Sequence, residues 1–371
     1  MLFRSEAAAA QVGNQACFYH EQDRTPWRER ARENLKLAED LESALASDQF
    51  FLQYQPQVHL DTQQVYGCEA LMRWTHPTLG SIPPDRFIPI AEERDLIHRV
   101  GQKALALACA QAVAWQQAGL PEILMCVNVS HTEIQHPDFE NSVRSALEAS
   151  GLSPRLLELE VTESVFATDL GQSEANLEKI QRLGVRLAID DFGTGYSSLA
   201  QLSQLSFNRL KIDKSFVHDL ASGGDQSVIL GILLIAEALG KTVVAEGVET
   251  DVEAQILRAM GCNVVQGYLY ARPESPDNFQ AFVETINRVS SSERRRSRVR
   301  VTVGTHAFDQ AGTVSHAVSA YQAAHSDVGV VHQVHRNLKC RSLFKAGDLD
   351  LAVISSVPGI DEDLVPVRAW E

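Results

Sequence analysis

Oxygen-bearing side chains recur at the ends of short apolar runs in this chain, and their types suit metal-ion and phosphate chemistry. Asn128 follows LMCV, Glu160 sits in LLELEVTE, Asp190 and Asp191 follow VRLAI, Glu246 follows TVVA and Gln266 follows NVV. Lys211 stands in RLKID, and the earlier run VYGCEALMRW carries Glu69. A two-metal hydrolase needs hard oxygen ligands converging from several elements, with at least one carboxylate shared between the ions. The adjacent Asp190 and Asp191 suit that sharing, and Asn128 adds an amide oxygen without adding charge. Crowded carboxylates repel one another and resist ionisation, so a bound cation is their natural compensation. Lys211 could hold a nucleophilic water or stabilise charge developing on a phosphate. A single strand-end glutamate is more often a salt bridge or a cap; the weight here lies in recurrence at comparable positions.

These residues need a scaffold that brings strand ends together. Apolar runs separated by helix-length segments read as buried parallel strands. Strands are predicted at 124–129, 156–161, 186–191, 209–212, 242–245 and 264–267, and helices near 138–149, 171–183, 197–204, 225–239, 251–259 and 277–288. That alternation predicts an α/β fold, a TIM-like (β/α)8 barrel with its site at the carboxyl ends of the strands. FLQYQPQ (51–57) and VYGCEALMRW (65–74) flank a turn around Asp61 and Thr62 and read as a strand pair, which leaves the first barrel strand free to run antiparallel. A helix around 98–118 follows. Upstream, Thr25-Pro26 opens a helix whose Leu35, Ala38, Leu41 and Leu45 share a face.

Around the ligand set, FGTGYSSL after Asp191 has two readings: an ordinary turn, or a loop beside the site that responds to metal and substrate. Gly193 and Gly195 permit positive φ there, and Ser197-Ser198 can cap the next helix. Arg73, on the same run as Glu69, can make a forked contact with a phosphate or a guanine edge. Gln55 either joins it on substrate or bonds to backbone.

Composition narrows the classes. The 371 residues are 44% hydrophobic, enough for one large core and a smaller unit. A net charge of −15 argues against nucleic acid as main partner, and no DNA binding is expected. Cys17, Cys68, Cys109, Cys126, Cys262 and Cys340 are scattered without a C-x-x-C and read as reduced residues of a cytoplasmic protein. The histidines lack H-E-x-x-H spacing; His332 and His335 leave zinc as a weak alternative. The longest apolar helix, 228–239, contains Glu237 and is too short to span a bilayer, and the first residues lack a signal peptide's apolar segment. Residues 291–300, SSERRRSRVR, read as a solvated linker, with a phosphate-binding patch as the sharper alternative.

Residues 50–288 resemble an EAL domain, the cyclic di-GMP phosphodiesterase module. The matching stretches are YQPQ (54–57), EALMRW (69–74), FIPIAEE (87–93), NVS (128–130), LELEVTES (157–164), IDDFGTGYSSL (189–199), LKIDKSFV (210–217), VVAEGVET (243–250) and QGYLYARP (266–273). The resemblance implies that Glu69, Asn128, Glu160 and Asp190 hold one metal, and that Asp190, Asp191 and Glu246 serve a second. It also implies that Lys211 and Gln266 position water, with Glu69 and Glu246 in the catalytic set. Arg73 and Gln55 would contact the dinucleotide, Asp213 would lie close by, and Glu163 would anchor the DDFGTGYSSL loop. The implied reaction is metal-dependent hydrolysis of one phosphodiester of cyclic di-GMP to linear pGpG, with water attacking phosphorus in line as the 3′ oxygen leaves. Mg²⁺ or Mn²⁺, two ions per site, should support it; the larger Ca²⁺ should inhibit. LYARP stands where LFSRP is more usual, and neither change removes a ligand. The alternative is a catalytically silent receptor of cyclic di-GMP signalling through its tail.

The ends resemble other modules. Residues 2–19 are similar to the last helix and strand of a GGDEF domain without its catalytic motif. VRVTVGTHAF, VSAYQAAHSDVGVVHQV and KAGDLDLAVIS are similar to the opening of a LysR-type effector-binding domain, a βαβαβ unit lacking the second lobe. The expected organisation is a preceding-domain remnant at 1–24, a connecting helix at 25–49, the barrel at 50–288, a linker at 289–298 and the small unit at 299–371. A homodimer through the EAL domain is a further implication of the resemblance.

Overall fold

The computed structural model describes residues 9–12, 15–18, 24–166, 170–193, 206–218, 220–223, 226–296, 299–306, 319, 321, 328–335 and 351–353. At the start β1 (Ala9–Val12) pairs antiparallel with β2 (Gln15–Phe18). The GGDEF resemblance implies a helix before the strand; residues 9–12 are strand, and residues 2–8 lie outside the described residues. Helix α1 (Arg24–Leu45) follows, with Leu37, Leu41 and Ala44 fully buried.

The barrel begins with β3 (Phe50–His59) and β4 (Gln64–His76), which the short β5 (Gly80–Ile82) extends at one edge. Helix α2 (Pro84–Glu93) precedes α3 (Ile97–Gln117), which matches the helix predicted around 98–118. Then come β6 (Leu124–Asn128), α4 (His131–Gln135), α5 (Phe139–Ser150), β7 (Leu157–Thr162), α6 (Leu170–Arg182) and β8 (Arg186–Phe192). The second half holds β9 (Arg209–Ile212), α7 (Lys214–Val217), α8 (Ser227–Ala238), β10 (Thr242–Ala245), α9 (Asp251–Ala259), β11 (Val264–Gln266) and α10 (Pro276–Arg296). The predicted helix near 197–204 lies outside the described residues.

The strand order β3-β11-β10-β9-β8-β7-β6-β4 closes on itself through a β3–β4 pairing, giving an eight-stranded barrel. Neighbours from β4 through β11 are parallel. The first strand, β3, runs antiparallel to both β4 and β11. The cause is local: Leu60–Gln63 are too few to cross over, and only an antiparallel pair can be joined by so short a turn. Closure leaves β-strand backbone paired on both sides, and the apolar runs of β7 and β9 are buried along nearly their whole length, as strands sandwiched between lumen and helices must be.

α10 continues to Arg296, so the Ser/Arg-rich stretch begins inside a helix. It contains neither Gly nor Pro, and Glu and Arg are good helix formers. Beyond it β12 (Val299–His306) pairs in parallel with β13 (Val328–His335) and β14 (Leu351–Val353), in the order β13-β12-β14. Of the two helices expected between these strands, Ser319 and Tyr321 of the first are described and helical, and the rest lies outside the described residues.

Candidate active site

Parallel strands of a closed barrel end at one mouth, and the residues singled out above gather there. Asn128 and Gln266 are the last residues of β6 and β11, and Glu246 directly follows β10. Glu69 sits mid-strand in β4, but the β4–β6 rungs end at Ala70, so it too lies at the rim. Register places Asn128 beside Glu160 and Lys211 beside Val244, just below Glu246.

The tandem aspartates need a backbone device. Successive side chains on a regular strand point to opposite faces. Here the β8–β9 register is interrupted between Ile189 and Phe192, and Asp191 adopts φ 52°. Such a bulge re-aims a side chain, and Asp is among the few residues that tolerate the left-handed region. Carboxylate oxygens of Asp190, Asp191 and Glu246 consequently lie within 4.8 Å of one another.

Lys211 is the hub of the cluster. Its Nζ donates to Glu160 Oε2 at 2.6 Å and lies 2.7 Å from Glu246 Oε1, 3.1 Å from Asp190 Oδ1 and 3.9 Å from Glu69 Oε2. One ammonium thus faces four carboxylates, with Asp191 adjoining. Burial drives the Glu160 carboxyl well above the usual range, opposed by Lys211 and reinforced by Glu69 and Asp190. Glu246 is pushed up to about 8, first by burial and then by Asp190 and Glu69 against the pull of Lys211. Burial, then the charges of Asp190 and Asp213, raise Asp191 to about 6. Desolvation alone would lower Lys211, but Glu160, Glu246, Glu69 and Asp190 hold it well above its ordinary value.

The donor set fits divalent cations. Negative charge exceeds what one lysine offsets, the ligand atoms are hard oxygens, and the buried Glu160 Oε1 has no hydrogen-bond partner among the described residues.

The flanking residues are placed as follows. Asn128 Nδ2 donates to Glu69 Oε1 at 2.5 Å, and Gln266 Nε2 donates to Glu69 Oε2 at 2.5 Å and to Gln55 Oε1 at 3.2 Å. Gln55 Nε2 also donates to the Ala271 carbonyl at 3.2 Å, so backbone bonding and proximity to the site coexist. Arg73 is half-buried on β4; its Nε donates to Gln53 Oε1 at 2.7 Å and Glu69 lies within its electrostatic reach. Glu163 Oε2 accepts from the Gly193 amide at 3.1 Å, at the start of the glycine loop, whose 194–205 portion lies outside the described residues. Asp213 caps α7 by accepting from the Ser215 amide at 3.0 Å. Although partial burial pulls the other way, the Ser215 donors hold its carboxyl below the usual range.

Sequence reading missed a second polar layer. Glu158, Arg209 and Cys126 stand two residues before Glu160, Lys211 and Asn128, and Gln57 two after Gln55. Period-two alternation puts each on its partner's face, and that signal was available. Arg209 Nη1 lies 3.2 Å from Glu158 Oε1 and donates to Gln57 Oε1 at 2.9 Å; Glu158 also meets Arg186 Nε at 3.2 Å. Gly67 makes room: a Cβ there would come within 3.1 Å of Gln57 Oε1 and 3.0 Å of the Leu124 carbonyl.

A family model described as the EAL domain matches residues 38–273. The bifunctional diguanylate cyclase/cyclic di-GMP phosphodiesterase MucR of Pseudomonas aeruginosa is 39% identical over 277 residues, 74% of this chain and 40% of that protein. Cyclic di-GMP phosphodiesterase NbdA of the same organism is 42% identical over 245 residues, 66% of this chain and 31% of that protein. Among solved structures, a PaMucR phosphodiesterase–c-di-GMP complex aligns with a TM-score of 0.63 at 40% identity, over 66% of this chain and 99% of that one. The chain spans less than half the length of these curated relatives. Fold, barrel-mouth residues and a family match over more than half of the sequence agree: this chain belongs to the EAL domain family.

Proposed function

We propose that this chain hydrolyses one phosphodiester bond of cyclic di-GMP to linear pGpG at the barrel mouth. The observation that carries the reading is four carboxylates converging on one buried lysine, with a Glu160 oxygen left unsatisfied. Glu69, Asn128, Glu160 and Asp190 are the proposed ligands of one divalent ion, and Asp190, Asp191 and Glu246 those of a second. Bound Mg²⁺ or Mn²⁺ would supply Lewis acidity at a phosphoryl oxygen and ease the ionisation of water, whereas Ca²⁺ would bind in looser coordination and inhibit.

The chain's own groups do the positioning. Lys211 and Gln266 present N–H donors among the carboxylates, suited to orienting an attacking water. The Arg73 fork and the Gln55 amide would hold the dinucleotide, with Asp213 beside them, and Glu163 fixes the start of the glycine loop. MucR and NbdA support this reading by their printed activities. The test is chromatography that separates cyclic di-GMP from pGpG after incubation with Mg²⁺ or Mn²⁺. Product from the wild type and none from Glu69→Ala supports it; tight binding without product would make the chain a silent receptor instead.

The wider organisation follows as part of the same proposal. The order β13-β12-β14 suits the opening of a LysR-type effector-binding lobe at 299–371, and the 1–24 segment suits a GGDEF remnant before the 25–49 connecting helix. The barrel occupies 50–288, with 289–298 leading to the last unit, and two copies pair through the barrel. Free, buried Cys68, Cys109, Cys126 and Cys262 support a reducing, cytoplasmic setting. No helix among the described residues is long and apolar enough to cross a membrane.

A further inference from the structure

The layer beneath the mouth is a hydrogen-bond chain with a fixed direction. Arg209 has a fully buried guanidinium, which can only donate. At the other end the Glu69 carboxylate, when ionised, can only accept. Two amides lie between them. Arg209 Nη1 donates to Gln57 Oε1 at 2.9 Å, Gln57 Nε2 donates to Gln266 Oε1 at 3.0 Å, and Gln266 Nε2 donates to Glu69 Oε2 at 2.5 Å. Turning either amide over would set two acceptors or two donors against each other. Only one orientation of each therefore satisfies every contact, and a buried network met halfway is strongly unfavourable.

Three observations show that the chain is built rather than incidental. Gln57 and Gln266 are directly opposite each other in the antiparallel β3–β11 register. Gly67 leaves the space the Gln57 oxygen occupies. Arg209 is held by Glu158 at 3.2 Å and lies over the Tyr66 ring at 4.7 Å, so its own place is fixed by a buried ion pair and a ring face. None of Arg209, Gln57 or Glu158 is among the residues assigned a role at the mouth.

We propose that Gln57 and Arg209 are positioning residues: together they fix which way the Gln266 amide faces, and so keep its NH₂ directed at Glu69 and the reacting centre. The inference rests on the reading of Gln266 and Glu69 as members of the hydrolytic site. Its consequence is sharpest during turnover. A cation held by Glu69 would weaken its grip on Gln266, leaving the bond from Gln57 on the carbonyl side and the bond to Gln55 on the NH₂ side to keep the amide from turning.

The discriminating variant is Gln57→Glu. A carboxylate there keeps Arg209 as its partner and the side-chain volume, so a purely structural role for Gln57 confines the effect to stability and leaves kcat of the folded enzyme unchanged. As an acceptor on both sides, however, it calls for the Gln266 NH₂ and turns the Gln266 carbonyl toward Glu69. The expected result is a fall in kcat of about 30-fold with KM changed by less than about twofold. In a Gln266→Ala background the same substitution should lower kcat by less than about threefold, because its route of action is gone. Gln57→Leu removes the contact without reversing it and should fall between the wild type and Gln57→Glu. Arg209→Lys, which retains a donor, should keep more activity than Arg209→Met.

A second readout needs neither metal nor turnover. In the metal-free, ¹⁵N-labelled full chain, the Gln266 side-chain NH₂ resonances, assigned by their loss in Gln266→Ala, should move in Gln57→Glu. Unmoved resonances, or equal kcat losses in the two backgrounds, would overturn the proposal. If the wild type makes no pGpG the hydrolytic reading fails, and the amide resonances still decide the positioning.

Discussion

Replacing Lys211 with methionine tests the electrostatics of the mouth, because the apolar stem is kept and the ammonium, with its charge and its donors, is removed. The ammonium lies 2.6 Å from Glu160 and 2.7 Å from Glu246, with Asp190 at 3.1 Å. At an effective dielectric of about 20, each of the two closest contacts is worth about 6 kcal/mol of gross attraction. Desolvation cancels most of that sum. Breaking a buried pair by removing one partner nonetheless costs about 3–5 kcal/mol, because the remaining charge stays buried and uncompensated. For a domain of this size that is a fall in Tm of about 10 °C. The fall should be largest around pH 8 and shrink toward about pH 5, since protonating the carboxylates removes the charge left exposed to repulsion. Thermal denaturation followed by circular dichroism, in EDTA and then in Mn²⁺, is the assay. Mn²⁺ should recover much of the lost Tm by neutralising the same carboxylates. A variant that melts with the wild type in EDTA would refute the reasoning, as would one that Mn²⁺ leaves unmoved. Turnover in Lys211→Met should fall by about 10²–10³-fold, the range for a lost donor at developing charge.

Other expectations follow from particular contacts. Gly267→Ala places a Cβ 2.0 Å from the Val248 carbonyl and 2.4 Å from its amide, so it should break the Val248–Gln266 backbone bond and lower both Tm and turnover; unchanged melting would contradict this close packing. Glu133 is buried in a capping box, and burial raises its carboxyl to about 7. Being raised, it favours folding below the unfolded pKa and loses that contribution as pH climbs through the folded one. Glu133→Gln should therefore stabilise the protein at about pH 8 by up to about 3 kcal/mol and make no difference near pH 4, as denaturant titration at the two pH values will show. Asp191→Ala should reduce turnover without lowering Tm by more than a few degrees, because it removes a half-buried carboxylate that is crowded by its neighbours; a large loss of Tm with turnover intact would count against its placement in the site.

The barrel was legible because buried parallel strands write themselves as short apolar runs at helix-length spacing. The mouth was legible because oxygen donors ended those runs. Antiparallel β3 was foreseeable from the brevity of the Asp61–Thr62 turn. The bulge at Asp190 and Asp191 was not, since two adjacent aspartates reveal chemistry but not a φ of 52°. Arg209 and Glu158 are hard to see for a different reason: single charges inside apolar runs look like strand edges until barrel closure brings them within 3.2 Å of each other. Gln57 has no chemical mark of its own, and only the opposed register with Gln266 shows what it does. The helix of α10 runs on through the Ser/Arg-rich stretch to Arg296, because serine, glutamate and arginine do not break a helix as Gly or Pro would.

The most direct measurement is a calorimetric titration of the metal-free chain with Mn²⁺, repeated on Asp190→Asn. The expected result is uptake of about two ions per chain by the wild type, strongly weakened for both ions in Asp190→Asn because that carboxylate is shared. No uptake by folded wild type, or identical uptake by the variant, would contradict a barrel mouth built to hold paired cations.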